Sequence, residues 1–231
     1  MHELINDLQR KQLIWKGNRE SLPGECHSTG FPELDARLGG GFPTSGVIEI
    51  QSPQGIGELR LLMPHAQVHA RERLLVLINP PGYLCAEYLY SQGIAPSQVL
   101  LIYPDSTNHA LWAAEQCLKS GSCCSVCLWQ ENLEIHQAKR LQVASETGHC
   151  LHFLFKSVNS DSPSKVFSLP VSLSLTLEPH ESGLTVSITK RKGGFLRDNF
   201  VVSMASYWPE LTLSAQSTHS RVIPFPIQKQ G

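Results

Sequence analysis

Short apolar segments recur along the middle of the chain, at residues 47–50, 74–78, 99–103, 126–129 and 151–155. They start roughly 25 residues apart, and the stretches between them are long enough to form helices. Continuous apolar runs that alternate with helices are typical of a parallel sheet that is covered on both faces. The pattern therefore predicts an α/β fold with a mostly parallel central sheet and helices on both faces.

The segments between and after these runs add detail to this prediction. Residues 107–118 predict a helix capped by Asp105 and Ser106, and Asn132 is expected to cap a second helix that ends near residue 146. Alternating segments at 171–177 and 184–189 predict an antiparallel pair at the sheet edge. The Ser-rich stretch before this pair, residues 157–168, predicts a loop.

The two ends of the chain differ from this core. Leu4, Leu8 and Trp15 share one side of an amphipathic helix predicted over residues 3–16, which a polar linker follows. The last part of the chain has no periodicity, which is typical of a flexible segment that orders on a partner. The predicted division is an N-terminal helix and linker (1–27), a core (28–205) and a flexible tail (206–231).

Composition excludes several classes of protein. The 19 Lys and Arg residues nearly balance the 20 Asp and Glu residues, so a strongly basic nucleic-acid coat and a strongly acidic chain are excluded. No apolar run approaches the roughly 20 residues that a membrane span needs. The seven cysteines are an odd number in a long chain, which is typical of free thiols in a reducing compartment. We therefore expect a cytoplasmic protein without a membrane partner.

The segment after the first apolar run has the position of a phosphate-binding loop, between a strand and a helix. A working loop has the pattern G-x-x-x-x-G-K-[ST], in which the lysine contacts the phosphates and the hydroxyl holds Mg²⁺. Here Ser52 replaces the first glycine, Glu58 replaces the lysine and Leu59 replaces the hydroxyl residue. Only Gly57 of the pattern remains, with Gly55 as a second small residue in the loop.

The residues around this loop resemble known families. The stretch that includes Ser28-Thr29-Gly30, Leu34-Asp35 and Leu38-Gly39-Gly40-Gly41 is similar to the lead-in to the nucleotide loop of bacterial RecA recombinases. The loop and the residues after it, 55–62, instead resemble ImuA, a RecA-like accessory protein of SOS mutagenesis cassettes. Further ImuA-like stretches lie at residues 14–17, 79–81, 110–116 and 190–194, so the resemblance spans about residues 3–200.

The resemblance to RecA identifies further positions where catalytic chemistry is lost. Pro81 stands where RecA has its catalytic glutamate, and Trp129 and Gln130 end the strand that carries its Mg²⁺-linked aspartate. The phosphate lysine, the hydroxyl, the metal carboxylate and the general base are then all missing. The resemblance therefore implies a degenerate ATPase fold that is not an enzyme, with no catalytic residue, cofactor or metal.

ImuA-like function implies particular partners. The expected role is a non-catalytic adaptor in SOS-induced, error-prone translesion DNA synthesis. Its expected partners are an ImuB-type polymerase-like protein and an error-prone replicative-type polymerase, with RecA, DNA and self-association left open. The alternative is a cell-division inhibitor of the SulA type that binds FtsZ, a class that lacks the long N-terminal lead-in. An active ATP-dependent recombinase is the third class, and Glu58, Leu59, Pro81 and Trp129 argue against it.

Candidate contact residues lie near both ends of the chain. Residues 180–231 hold six Lys and Arg residues against three Asp and Glu residues. The basic cluster Lys190, Arg191 and Lys192, with Arg197 nearby, either contacts DNA phosphates or an acidic partner, or is a solvated strand end. Trp208 either anchors a partner or packs on its own domain. Leu4, Leu8 and Trp15 are the candidates for docking on a second protomer or a partner.

Two further patterns are expected to have no metal-binding role. Cys124 and Cys127 have CxxC spacing, but in a strand residues three apart point to opposite faces. His65 and His69 lie four apart on a predicted helix without the Glu of an H-E-x-x-H motif, and we expect a solvated face there.

Overall fold

The structure is a computed structural model that describes residues 25–157, 169–191 and 198–211. Within these ranges the chain forms ten strands and five α-helices. The strands are β1 (Cys26–His27), β2 (Phe42–Pro43), β3 (Gly46–Ser52), β4 (Leu74–Ile78), β5 (Val99–Ile102), β6 (Cys123–Trp129), β7 (Leu151–Ser157), β8 (Leu173–His180), β9 (Gly183–Arg191) and β10 (Asp198–Ser203). The helices are α1 (Pro32–Leu38), α2 (Met63–His69), α3 (Ala86–Ser91), α4 (Thr107–Lys119) and α5 (Ile135–Gly148).

Eight strands form one sheet in the order β10-β9-β8-β3-β7-β6-β4-β5. The six strands from β8 to β5 are parallel to one another, and β9 and β10 run antiparallel at one edge. Strands β1 and β2 form a separate two-stranded ribbon. The mostly parallel central sheet that the apolar pattern predicts is confirmed.

Helices cover both faces of the sheet, as predicted. Apolar residues of α1, α2 and α3 pack on one face, where they form a core with Ile48, Ile50 and Phe153. Apolar residues of α4 and α5 pack on the other face, around Val126 and Leu154. The strands of the sheet interior are apolar on both faces because both faces are buried. Among the described residues, no helix is long and apolar enough to cross a membrane.

Most predicted elements agree with the structure to within a few residues. Helix α4 begins at Thr107 as predicted, and the Ser106 hydroxyl accepts a hydrogen bond from the His109 N–H. Helix α5 begins at Ile135 rather than after Asn132, because the Gln137 side chain caps the N–H of Glu134. The predicted antiparallel pair is β8 and β9. Strand β10 was not predicted.

The predicted core boundaries are too narrow at both ends. Cys26 and His27 fall in the predicted linker, yet they form β1 by pairing with β2. Residues 206–211 fall in the predicted flexible tail, yet Trp208 is buried and Pro209–Leu211 form a 3₁₀ turn. The predicted helix over residues 3–16, nearly all of the predicted loop 157–168 and the rest of the tail lie outside the described residues.

Candidate functional site: a closed phosphate-type loop

The loop between β3 and a 3₁₀ turn at Glu58–Leu62 lies where the sequence predicts a phosphate-type loop. Gly55 and Gly57 have positive φ angles of 79° and 95°, a conformation that residues with a Cβ rarely adopt. Such a loop, at the carboxyl end of a parallel strand and before a helical segment, presents backbone N–H groups to an anion. The backbone thus retains the form of an anion-binding loop.

The side chain of Glu58 fills this loop. Its carboxylate accepts hydrogen bonds from the N–H of Gly57 at 3.1 Å and from the N–H of Gly55 at a longer 3.5 Å. Glu58 is buried, with 7% of its surface exposed. A carboxylate that accepts two backbone N–H groups satisfies the donors that a phosphate would otherwise take. The loop therefore carries its own anion.

The loop opens onto a cleft of about 330 Å³ at the carboxyl ends of the central strands. The positions that the resemblance matches to RecA's catalytic groups converge here, because Ser52, Glu58, Pro81 and Trp129 all line this cleft. In parallel sheets this edge is the usual ligand site. The geometry thus brings these four altered positions together, whereas Leu59 packs against the core.

The cleft is also lined by an aromatic pair and by a residue in the left-handed backbone region. The rings of Trp129 and Phe155 stack with centroids 4.5 Å apart and an angle of 8° between their planes. Asn79 has a φ of 55°, which places it in the left-handed region that asparagine tolerates better than most residues. Its N–H donates to the carbonyl of Ile102 at the end of β5, and this bond holds the turn.

An ion pair lies beside the cleft, and sequence analysis missed it. The Lys156 ammonium is 2.6 Å from the Glu49 carboxylate, whose second oxygen accepts a hydrogen bond from the Ser174 hydroxyl at 2.8 Å. The side chains of Glu49 and Lys156 are 8% and 18% exposed. The signal was available, since Glu49 is an acidic residue within the otherwise apolar run 47–50. Because Lys156 is engaged by Glu49, the cation that lines the cleft is already neutralised.

The described part of the basic cluster contacts the protein itself. The Lys190 ammonium donates to the carbonyl of Leu169. The Arg191 guanidinium donates to the carbonyl of Leu38 at 2.8 Å and that of Arg37 at 3.4 Å, and so caps the C-terminal end of α1. These bonds favour a structural role for the two residues. Lys192 and Arg197, with the N-terminal candidates Leu4, Leu8 and Trp15, lie outside the described residues.

Trp208 is part of the core rather than an exposed anchor. It is 4% exposed and belongs to the core on the side of α1, α2 and α3. The Arg60 guanidinium lies 5.9 Å from its ring centroid, within the range of a cation–π contact. Of the two interpretations that the sequence leaves open, the structure supports packing on its own domain.

Two expectations about cysteine and histidine are wrong. A bulge in β6, where the pairing with β4 shifts between Leu74 and Leu75, places Cys124 and Cys127 on the same face rather than on opposite faces. His65 is not on a solvated face, since it is 3% exposed and its ring lies 4.4 Å from that of His69. The ring of His27 stacks on His69 at 4.2 Å. Sequence reasoning missed His27 because tertiary pairing alone brings β1 to α2.

Comparison with known proteins shows a distant relationship with RecA. The chain is 31% identical over 121 residues to the protein RecA of Synechococcus sp. (strain CC9902), and 30% identical over 121 residues to that of Prochlorococcus marinus (strain MIT 9211). The match covers 52% of this chain but only 32–33% of these relatives, so the chain spans about a third of their length. No family model matches the chain. The fold and this similarity are consistent with a RecA-like core.

A solved structure, that of SulA from Pseudomonas aeruginosa, is also similar to this chain. The match has 26% sequence identity and covers 48% of this chain and 98% of the SulA chain. Its TM-score is 0.42.

Proposed function

We propose that this protein is a non-catalytic, RecA-like adaptor in SOS-induced, error-prone translesion DNA synthesis. The observation that carries the non-catalytic part is the carboxylate of Glu58, which accepts the N–H groups of Gly55 and Gly57 in the loop. A nucleotide phosphate would have to displace that carboxylate and would then lie beside it. A degenerate ATPase site is the simplest account of this arrangement.

The charges around the cleft support the same proposal. Glu58 and Glu131 both line it, and the ammonium of Lys156 is engaged by Glu49. Two like charges about 4 Å apart repel by roughly 4 kcal/mol at an effective dielectric constant near 20. A triphosphate would meet this repulsion without the attraction of a phosphate-binding lysine. We therefore infer that the cleft binds neither ATP nor a similar polyanion tightly.

The adaptor role and its partners rest on the ImuA resemblance, with the RecA similarity as support for the wider relationship. We propose an ImuB-type polymerase-like protein and an error-prone replicative-type polymerase as the partners, and RecA and DNA as further contacts. Lys190 and Arg191 donate hydrogen bonds to main-chain carbonyls of the protein itself. We therefore propose Lys192 and Arg197 as the residues of the basic cluster that would contact DNA.

Calorimetry and phosphate release with Mg·ATP test the non-catalytic part. We expect no binding in the micromolar range and no turnover by the wild-type protein. The double variant Glu58→Lys, Leu59→Thr restores the lysine and hydroxyl of the loop pattern, and should gain at most weak binding, because Pro81 supplies no group to activate water. Micromolar binding with phosphate release by the wild-type protein would overturn the proposal.

Recovery of partners from cells with damaged DNA tests the adaptor part. We expect the wild-type protein to retain an ImuB-type protein. Deletion of residues 1–20 should lower this retention if the predicted apolar side of Leu4, Leu8 and Trp15 makes the contact. Binding to purified FtsZ is the matched measurement for the alternative, a SulA-type division inhibitor. Retention of FtsZ without any polymerase-like protein would replace the adaptor by the inhibitor.

A further inference from the structure

Three histidines from two separate elements converge beside the ribbon formed by β1 and β2. His27 ends β1, and His65 and His69 lie one turn apart on α2. One nitrogen of each ring lies within 4.8 Å of the corresponding nitrogens of the other two. Within the described ranges, no other group of three or more His, Cys, Asp and Glu side chains is arranged in this way. The cluster lies outside the cleft and plays no part in the proposed function.

The local structure fixes these three residues in place. His65 and His69 are four apart, so they project from the same face of α2. His27 is held by its pairing with Phe42 in β2. Gly41 precedes β2 with a φ of 128°, and a Cβ at that position would lie 2.1 Å from the carbonyl oxygen of His27. A glycine is therefore required for the close approach of the residue before β2 to the backbone of β1.

A hydrogen bond sets the tautomer of the most buried ring. The Nδ1 of His65 lies 3.4 Å from the carbonyl oxygen of Ser28, and a carbonyl only accepts, so Nδ1 carries the proton and Nε2 keeps its lone pair. The Asp35 carboxylate holds this segment by accepting from the Ser28 hydroxyl at 2.5 Å and from the Thr29 N–H at 2.8 Å. Metal-binding histidines are commonly oriented by such a bond from the second ring nitrogen.

The surroundings of His65 and His69 favour the neutral form of both rings. Burial, followed by the neighbouring His69, lowers the pKa of His65 to about 4. Burial and then His27 lower the pKa of His69. Neutral imidazole is the form that binds metal ions, so little proton release is needed at neutral pH. Because no carboxylate belongs to the cluster, it is unsuited to Mg²⁺ and Ca²⁺, which prefer oxygen ligands.

We propose that His27, His65 and His69 form a three-histidine site for a transition-metal dication of the Zn²⁺ class. Zn–N bonds of 2.0–2.1 Å in a tetrahedron place the nitrogens about 3.3 Å apart, so the rings approach by up to about 1.5 Å on binding. His27 and His69 are only half-buried, so their side chains have room for this approach and water can reach the fourth position. The ion would join β1 to α2 and fasten the ribbon to the core.

Titration of the tag-free, full-length protein with Co²⁺ after chelator treatment tests this site. We expect one Co²⁺ per chain, with the visible absorption of a four-coordinate ion, and its displacement by Zn²⁺. Zn²⁺ at about a hundred times its dissociation constant should raise the Tm by roughly 5–10 °C. Metal binding only at millimolar Co²⁺ would overturn the proposal.

Variants separate this site from adventitious binding by other histidines. His27→Gln and His69→Gln each remove one ligand at a half-buried position, and each should lower Co²⁺ affinity at least about 100-fold. His109→Gln removes an exposed histidine elsewhere and should leave the affinity unchanged. Circular dichroism of the metal-free variants serves as the check on folding. Equal Co²⁺ affinity in all four proteins would overturn the assignment, whatever the ATP assays show.

Discussion

The loop at Gly55–Gly57 and the histidine cluster lie at the two ends of the helical segment 58–69. They differ in how their polar groups are hydrogen-bonded. At the start of the segment, the Glu58 carboxylate accepts two backbone N–H groups, so donors and acceptor are paired. At its end, His65 makes one hydrogen bond through Nδ1, and no hydrogen bond to the ring nitrogens of His27 or His69 comes from the described residues. In the loop the N–H donors already have an acceptor, whereas in the cluster the described residues supply no hydrogen-bond partner for the rings of His27 and His69.

The same contrast holds for charge. The cleft side contains paired charged groups, such as Glu49 with Lys156. Removal of one partner leaves the other charge buried and unpaired, which lowers the stability of the fold. The histidine side contains His65, which is buried and is stable only while neutral. The two regions should therefore respond to different perturbations, the cleft to loss of a charge partner and the histidines to acid.

Loss of Lys156 should have the largest effect on stability. Lys156→Ala leaves the buried Glu49 carboxylate with only the Ser174 hydroxyl, and we expect a loss of about 3–5 kcal/mol in the free energy of unfolding. Urea denaturation measures this change. Lys119→Ala is the matched control, because Lys119 is largely exposed and its buried partner Glu115 keeps the Arg140 guanidinium, so its removal should cost at most about 1 kcal/mol. Similar losses in both variants would contradict the dependence of the Glu49 carboxylate on Lys156.

Acid should have the next largest effect for each residue, through two buried histidines, His65 of the cluster and His152 of β7. Burial is the main cause that lowers the pKa of both His65 and His152 to about 4, from an ordinary value of 6.5. Between pH 6.5 and 4 the unfolded chain binds these protons and the folded chain does not, so stability is complete above 6.5 and falls as the pH drops. Each histidine contributes roughly 3 kcal/mol over that range.

Denaturation as a function of pH, with chelator present, checks this expectation. His152→Asn keeps a donor for the carbonyl of Val126, which lies 2.9 Å from the Nδ1 of His152, and removes the titrating ring. The slope of stability against pH between 4 and 6.5 should fall by about 1.4 kcal/mol per pH unit. An unchanged slope would mean that His152 takes up its proton without unfolding.

Opening of the closed loop should have the smallest effect of the three. Glu58→Gln removes the charge and sets an amide N–H₂ among the N–H groups of Gly55 and Gly57, so we expect a loss of about 1–3 kcal/mol. Thermal unfolding measures it. Glu131→Gln is the control, because Glu131 accepts one N–H, from Ser157, at an exposed position on the same cleft. A Glu58→Gln variant as stable as the control would contradict the closed loop.

The sequence predicts much of the fold because its signals are local. The apolar runs at β4 and β6 can be recognised without neighbours, since a strand buried on both faces has to be apolar on both. The replacements at Glu58 and Leu59 are likewise visible in the loop pattern itself. The bulge in β6 is different, because the shift in its pairing with β4 depends on two strands fitting together, and no residue of β6 marks it.

The candidate sites divide along the same line. By itself the sequence determined the parallel sheet, the position of the loop and the loss of its phosphate-binding lysine, because periodicity and motif spacing are properties of neighbouring residues. Only the tertiary structure decided that Glu58 folds back into the loop, that Lys156 pairs with Glu49, and that His27 meets His65 and His69. The last two contacts join elements far apart in the chain, and the energies of all three depend on burial and distance, which arise only when the sheet and its helices pack.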